Sequence, residues 1–227
     1  MKRYALPVAG LLVLVLGGAH YWWHTGTSDT TVSSYGTLLA AEAQDGTAID
    51  RSLVEEMALG SEDAPLTVIE YASSTCPHCR TFHEETFKEF KANYIDTGKV
   101  RFVFREVYFD RYGLWAGLVA RCGGSERFFG IMDMIFARQA EWTSAGSDVG
   151  VGENLARIGR AAGLTGEEIE ACMRDRDLAR AMVAVYKENA EEHGIRSTPS
   201  FIIDGDLVTG AMSYEDFSAL LDARLDD

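Results

Sequence analysis

The chain has 227 residues, 47% of them hydrophobic and 25% charged. That is the composition of a soluble globular protein, and the length suffices to bury a core without cross-links. Its 21 Lys and Arg face 35 Asp and Glu for a formal net charge of -14, a balance that repels phosphate backbones and excludes nucleic acid as a partner.

Lys2 and Arg3 precede an apolar run at 5–19, and Tyr21, Trp22 and Trp23 follow it. Basic residues before a short apolar stretch mark an export signal. The span 4–23 is also about the 20 residues needed to cross a bilayer, which would leave the basic end in the cytoplasm and the aromatics at the far interface. Residues 1–23 are therefore expected to be a signal peptide or an N-terminal membrane anchor. Either way the rest of the chain ends up outside the cytoplasm. Residues 24–51 begin with a Thr-, Ser- and Gly-rich stretch and read as a flexible tether, with at most one weak helical turn over 37–50. The folded domain is expected at 52–227.

Residues 66–71 (LTVIEY) are apolar and β-branched, as a buried strand requires. Residues 73–76 turn the chain into a helix that has Pro77 near its first position. Phe82, Phe87, Phe90 and Tyr94 recur along it at near-helical spacing, and Gly98 ends it. Residues 100–108 (VRFVFREVY) alternate as a second strand, so the unit is βαβ and the class α/β. Residues 113–193 read as helix throughout. The first three segments are 114–121, 126–142 and 153–162. A fourth is opened by a Thr165/Glu168 capping box with Leu164 and Ile169 as its staple, and a last one covers 177–193 and is closed by Gly194. Residues 201–203, the turn Asp204-Gly205 and residues 207–209 form a hairpin signature. Ser213 caps a final amphipathic helix that runs through Leu220 to Leu225.

Cys76-Pro77-His78-Cys79 stands where the buried strand passes into the helix. At a helix N-terminus, unpaired N–H groups and the helix dipole favour an anion, and the thiolate is the reactive form of cysteine. His78 could add positive charge or a hydrogen bond. Cys79, one turn in, suits a resolving thiol. Two other readings use the same residues. A metal could take Cys76, Cys79, His78 and His83, but such spacing usually needs a second ligand pair. A purely structural bridge over so short a loop adds little stability. A c-type haem is excluded, because Arg80 follows the second cysteine where a His would be needed. In an oxidising compartment paired cysteines form disulfides. With Cys76 and Cys79 on one turn, Cys122 and Cys172 are left for each other, or else stand as two separate buried thiols. Thr198-Pro199, just before a strand, is a candidate cis peptide bond.

Taken together, these pieces resemble the DsbA-like branch of the thioredoxin superfamily. They are the stretch 64–71 (APLTVIEY), the CPHC box, the helical insertion, the stretch 194–201 (GIRSTPSF) and the closing 210–217 (GAMSYEDF). The resemblance implies a thioredoxin fold with an inserted helical subdomain at about 111–178. It also implies a periplasmic, cofactor-free monomer that donates disulfides to newly exported, still-folding proteins and is re-oxidised by a quinone-linked membrane partner. By the same resemblance Cys76 exchanges with clients and Cys79 resolves the mixed disulfide. Glu70 is a buried acid for proton transfer, and Thr198 and Pro199 shape the substrate groove. Two positions depart from the family pattern. Thr198 replaces the Val that oxidases often carry before the cis-proline, and His83, beside Glu84 and Glu85, stands where an acid is usual. The alternatives on this fold are a reductase or isomerase and a redox-inactive chaperone.

Overall fold

The structure, a computed structural model of the chain, describes residues 48–226. The expected leader and nearly all of the expected tether lie outside those residues. Among the described residues no helix is long and apolar enough to cross a membrane.

The described chain opens on a 3-10 turn, Arg51–Leu53, which Asp50 caps by accepting a hydrogen bond from the Ser52 N–H. Five strands follow: β1 (Met57–Leu59), β2 (Leu66–Ala72), β3 (Val100–Glu106), β4 (Ser200–Ile203) and β5 (Asp206–Thr209). They form one mixed sheet in the order β1-β3-β2-β4-β5. The central pair β2 and β3 is parallel, with Val68 opposite Phe102. It is connected by α1 (Pro77–Glu85), α2 (Phe87–Phe90) and a π turn, Lys91–Ile95. The hairpin β4–β5 turns on Asp204 (φ 52°) and Gly205 (φ 84°), the left-handed pair that a two-residue type I′ loop requires.

Six helices lie between β3 and β4 in the chain: α3 (Arg111–Cys122), α4 (Gly124–Ala137), α5 (Gln139–Thr143), α6 (Asp148–Ala161), α7 (Gly166–Arg174) and α8 (Arg176–Glu192). The chain ends on α9 (Tyr214–Leu225). The α7 capping box forms as the sequence predicts. Thr165 Oγ1 accepts from the Glu168 N–H, and Glu168 Oε2 accepts from the Thr165 N–H. A disulfide links Cys122, at the end of α3, to Cys172 in α7, with Cα atoms 5.8 Å apart.

Several expected boundaries shift for local reasons. The helix expected through Phe82 and Tyr94 breaks at Thr86 (φ -111°, ψ -44°), whose buried hydroxyl donates to the Met212 carbonyl at 2.7 Å. The helix expected over 126–142 breaks at Arg138 (φ -108°, ψ 16°) into α4 and α5. The second strand stops at Glu106, after which Asp110 caps α3 by accepting from the Gly113 N–H at 2.9 Å. The helix expected from 153 starts at Asp148, capped by Ser147.

The main core fills the layer between the sheet and α1, α9 and the middle helices. Phe82 packs on Phe201 and Phe217 with ring centroids 4.8 and 5.3 Å apart, and Phe90 packs on Phe102 and Phe217. This aromatic cluster fixes the angle at which α1 leaves β2, and so where its first residue stands. At the far end of α3, Arg121 grips Glu106 with two hydrogen bonds of 2.8 and 2.7 Å and donates to the Glu55 carbonyl. Both charged side chains are more than nine-tenths buried, where a geometrically complete pair is needed to offset desolvation.

Candidate active site

Strand pairing brings the separate parts of the site to one end of the sheet. β2 and β4 are antiparallel neighbours, with Tyr71 opposite Ser200. The chain leaving β2 toward Cys76 and the chain entering β4 from Pro199 therefore meet. Cys76 is the N-cap of α1, with Pro77 at its first position. The Thr198–Pro199 peptide bond is cis, and the Thr198 carbonyl lies 3.4 Å from the Cys76 sulfur, accepting its S–H.

Cys76 is half-buried and Cys79 fully buried, and both are free thiols. The Cys76 pKa is lowered to about 5, first by the hydrogen bond from Cys79 and, against the cost of burial, by those from Thr198 and from the Cys79 and His78 backbone N–H groups. Thr198 changes role on ionisation. In the thiol form its carbonyl accepts from the sulfur and its own hydroxyl is buried without a partner. Once the proton has left, the hydroxyl is the group that can donate to the thiolate. Cys79 moves the opposite way. Burial, its bond to Cys76 and the charge of Glu70 push its thiol far above the ordinary range. The two thiols of one turn are thus strongly inequivalent: Cys76 is ionised at neutral pH and Cys79 holds its proton.

The remaining expected residues divide. Pro77 and the His78 imidazole are exposed, and the part of His78 that reaches the sulfur is its backbone N–H. Glu70 is fully buried behind Cys79, and its Oε2 lies 3.0 Å from His83 Nε2. Cys122 and Cys172 are bonded to each other, away from this constellation.

Sequence reasoning missed Gln139, the first residue of α5. It is 4% exposed, and its Nε2 donates to the carbonyls of Ser74 and Cys76 at 2.8 and 2.9 Å. Asp110 adds a third tie, accepting from Thr75 Oγ1 at 2.9 Å while it caps α3. An isolated Gln and Asp in a helical stretch give no sequence signal for either contact.

The Cys76 environment has a direct test. Titration of ultraviolet thiolate absorbance in the reduced protein is expected to give an apparent pKa near 5 for Cys76, with no second thiol titrating below pH 9, roughly half a unit above a free cysteine. Because the folded pKa of Cys76 lies below the unfolded value, its ionisation stabilises the reduced fold above the unfolded pKa. That contribution is lost as pH falls through about 5. The melting temperature of the reduced protein should accordingly fall relative to that of the oxidised protein as pH drops through this window. A gap independent of pH would refute the assignment.

A mixed sheet with Cys-x-x-Cys at the N-terminus of the helix between its parallel strands, faced by a cis-proline, defines a thioredoxin fold. In agreement, the family model described as Thioredoxin matches residues 52–223. A Rickettsia bellii protein named provisionally as a protein-disulfide oxidoreductase is 33% identical over 173 residues, covering 76% of this chain and 65% of its own length. The crystal structure of Wolbachia pipientis alpha-DsbA1 superposes with a TM-score of 0.70 at 26% identity, covering 78% of this chain and 96% of that one. Disulfide bond formation protein D of Bacillus subtilis is 22% identical over 184 residues, covering 77% of this chain and 79% of its own length. The chain belongs to the thioredoxin family and is similar to proteins named as DsbA and as protein-disulfide oxidoreductases, spanning slightly under two thirds of the length of the Rickettsia relatives.

Proposed function

We propose that this chain introduces disulfides into exported proteins by thiol–disulfide exchange through Cys76 and Cys79. The observation that carries the reading is the inequivalence of the two thiols: Cys76 is half-buried at the N-terminus of α1, 3.4 Å from the Thr198 carbonyl, and Cys79 is fully buried one turn behind it, an arrangement that lowers the Cys76 pKa to about 5 and raises that of Cys79. A client thiolate attacks the Cys76 sulfur of the Cys76–Cys79 disulfide, and Cys79 leaves and takes up a proton. A second client thiolate then attacks the mixed disulfide at the client sulfur, and Cys76 leaves as a thiolate. The more stable that thiolate, the better it leaves, and stabilising the reduced form makes the disulfide a stronger oxidant. Glu70, buried behind Cys79, serves the proton step, and Thr198 and Pro199 form the floor on which the client backbone lies.

Export rests on the leader, and the remaining properties rest on the resemblance to the DsbA-like group. Residues 1–23 direct export, 24–51 tether the domain, and 111–178 form the helical insertion. The protein works as a monomer in the periplasm on unfolded or folding client thiols, and a quinone-linked membrane partner re-oxidises it.

Equilibration with glutathione buffers, read by alkylation and intact mass, tests the direction. We expect a reduction potential toward the oxidising end of the fold, nearer about -120 mV than the about -270 mV of thioredoxin. A value at the thioredoxin end would assign the chain to the reductase side instead, a reading that the Thr before the cis-proline also fits.

A further inference from the structure

From the buried pair behind Cys79, we infer that His83 carries protons between Glu70 and a solvent groove on the α1–α4 side of the molecule, so that Cys79 is protonated through two residues in series. The inference rests on the exchange reaction proposed above and concerns the route of its proton. His83 does not touch the sulfur and acts through Glu70.

Four observations lead to it. Glu70 is 0% exposed and His83 6% exposed, with 3.0 Å between Oε2 and Nε2. Each has one further polar atom, Glu70 Oε1 and His83 Nδ1, that is buried without a partner. The pair is thus a hydrogen-bonded link open at both ends. On one side the Glu70 charge acts on Cys79. On the other, His83 lines a groove of about 260 Å³ together with Glu84, Lys88, Asp133 and Phe136. Finally, the imidazole cannot swing freely. It stacks on Phe136 at 4.3 Å and on Phe87 at 4.7 Å, with Phe82 and Phe104 edge-on. A ring held in one plane between a buried carboxyl and water is suited to moving a proton and poorly suited to moving itself.

The need for such a route follows from burial. When a client thiolate attacks Cys76, the Cys76–Cys79 bond breaks and its electron pair goes to Cys79, while a client–Cys76 bond forms. A bare Cys79 thiolate in that apolar setting is a poor leaving group, so a proton must arrive as the bond breaks. Glu70 in its acid form supplies it, and His83 returns a proton to Glu70 from the groove. The resolving direction runs the same steps in reverse. The charged groups facing this path are Cys79 and Glu84 on α1, Lys88 on α2 and Asp133 on α4. Of these, Asp133 sits near enough for the His83 charge to act on it.

Rapid-mixing kinetics of the oxidised full-length protein with a reduced dithiol peptide, followed as a function of pH, test the route. His83→Gln keeps a donor for Glu70 but cannot pass a proton, and His83→Ala opens space beside the groove. We expect both to slow the reaction at neutral pH by about tenfold or more, below the usual range for a positioned acid–base group, and to flatten the pH profile. The titration of Cys76 should stay in place. Added imidazole should restore the alanine variant while leaving the wild type unchanged. A glutamine variant that reacts at the wild-type rate with the wild-type pH profile overturns the inference. So does an alanine variant that is slow and indifferent to imidazole, which would mark His83 as packing alone. A wild-type chain inert toward thiols removes the exchange reading and this one with it.

Discussion

Alanine in place of Cys79 should turn the protein into a trap that holds its clients as mixed disulfides through Cys76. Besides attack by a second client thiolate, a mixed disulfide is resolved by Cys79 attacking the Cys76 sulfur from one turn away, and an intramolecular attack of that kind gains an effective concentration no external thiol matches. For clients with no second thiol in reach, release should slow by about a thousandfold or more. Non-reducing gels of the variant should show adducts that vanish on reduction, and Cys76→Ala should show none, because Cys79 is 0% exposed. Adducts that persist in Cys76→Ala would reverse the roles. The same variant also tests the electrostatics. The hydrogen bond from Cys79 is the largest cause of the low Cys76 pKa, so removing it should move the Cys76 titration upward from about 5. A Cys76 that titrates unchanged in Cys79→Ala would place the stabilisation in the backbone N–H groups and Thr198.

Breaking the Cys122–Cys172 bridge should give the largest change in stability. The bond closes a sequence separation of 50 residues, for which the chain-entropy model gives about 4 kcal/mol, an upper value because the unfolded chain retains structure. For a protein of this size that corresponds to roughly 8–16 °C in melting temperature. Denaturant and thermal unfolding of Cys122→Ala/Cys172→Ala against the parent measure it directly. The Cys76 titration should be unaffected, because α3 carries Cys122 at its C-terminal end and the tie to the Cys76 turn at its N-terminal end, about 18 Å away along the helix. Equal unfolding midpoints would show that the bridge contributes nothing to the fold.

The parts of this molecule that were legible in the sequence are those written in local chemistry. The Cys76-Pro77-His78-Cys79 box declares itself by standing between a β-branched run and a helical period. The Thr165/Glu168 box and the Asp204-Gly205 turn declare themselves because each needs only its immediate neighbours. β1 was not legible. A three-residue edge strand carries no period to detect, and Met57–Leu59 is held by pairing with Leu59 opposite Phe102 and Met57 opposite Phe104. The breaks at Thr86 and Arg138 were hidden because apolar spacing continues across both of them. At Thr86 the deciding contact comes from Met212, distant in sequence. The site shows the same division. The thiols were readable, whereas the Gln139 clamp depends on the break after α4, and the Glu70–His83 bond on how α1 folds back over β2. The imidazole of His78, expected to act on the sulfur, instead faces solvent, because the residue after Pro77 on the first turn points its side chain outward and only its N–H inward.

Gln139 ties the turn that presents Cys76 to the helical segment. The strand–helix scaffold contributes the sulfur, but the carbonyls on either side of Thr75 are held by a side chain that belongs to the helical segment. Ownership of the site is therefore shared between two stretches of chain far apart in sequence. The four-residue cysteine box is not a portable cassette: grafted onto a bare sheet-and-helix core, it would arrive without the hand that steadies it. Conversely, any binding partner that grips α5 holds, through one amide group, the turn that presents Cys76.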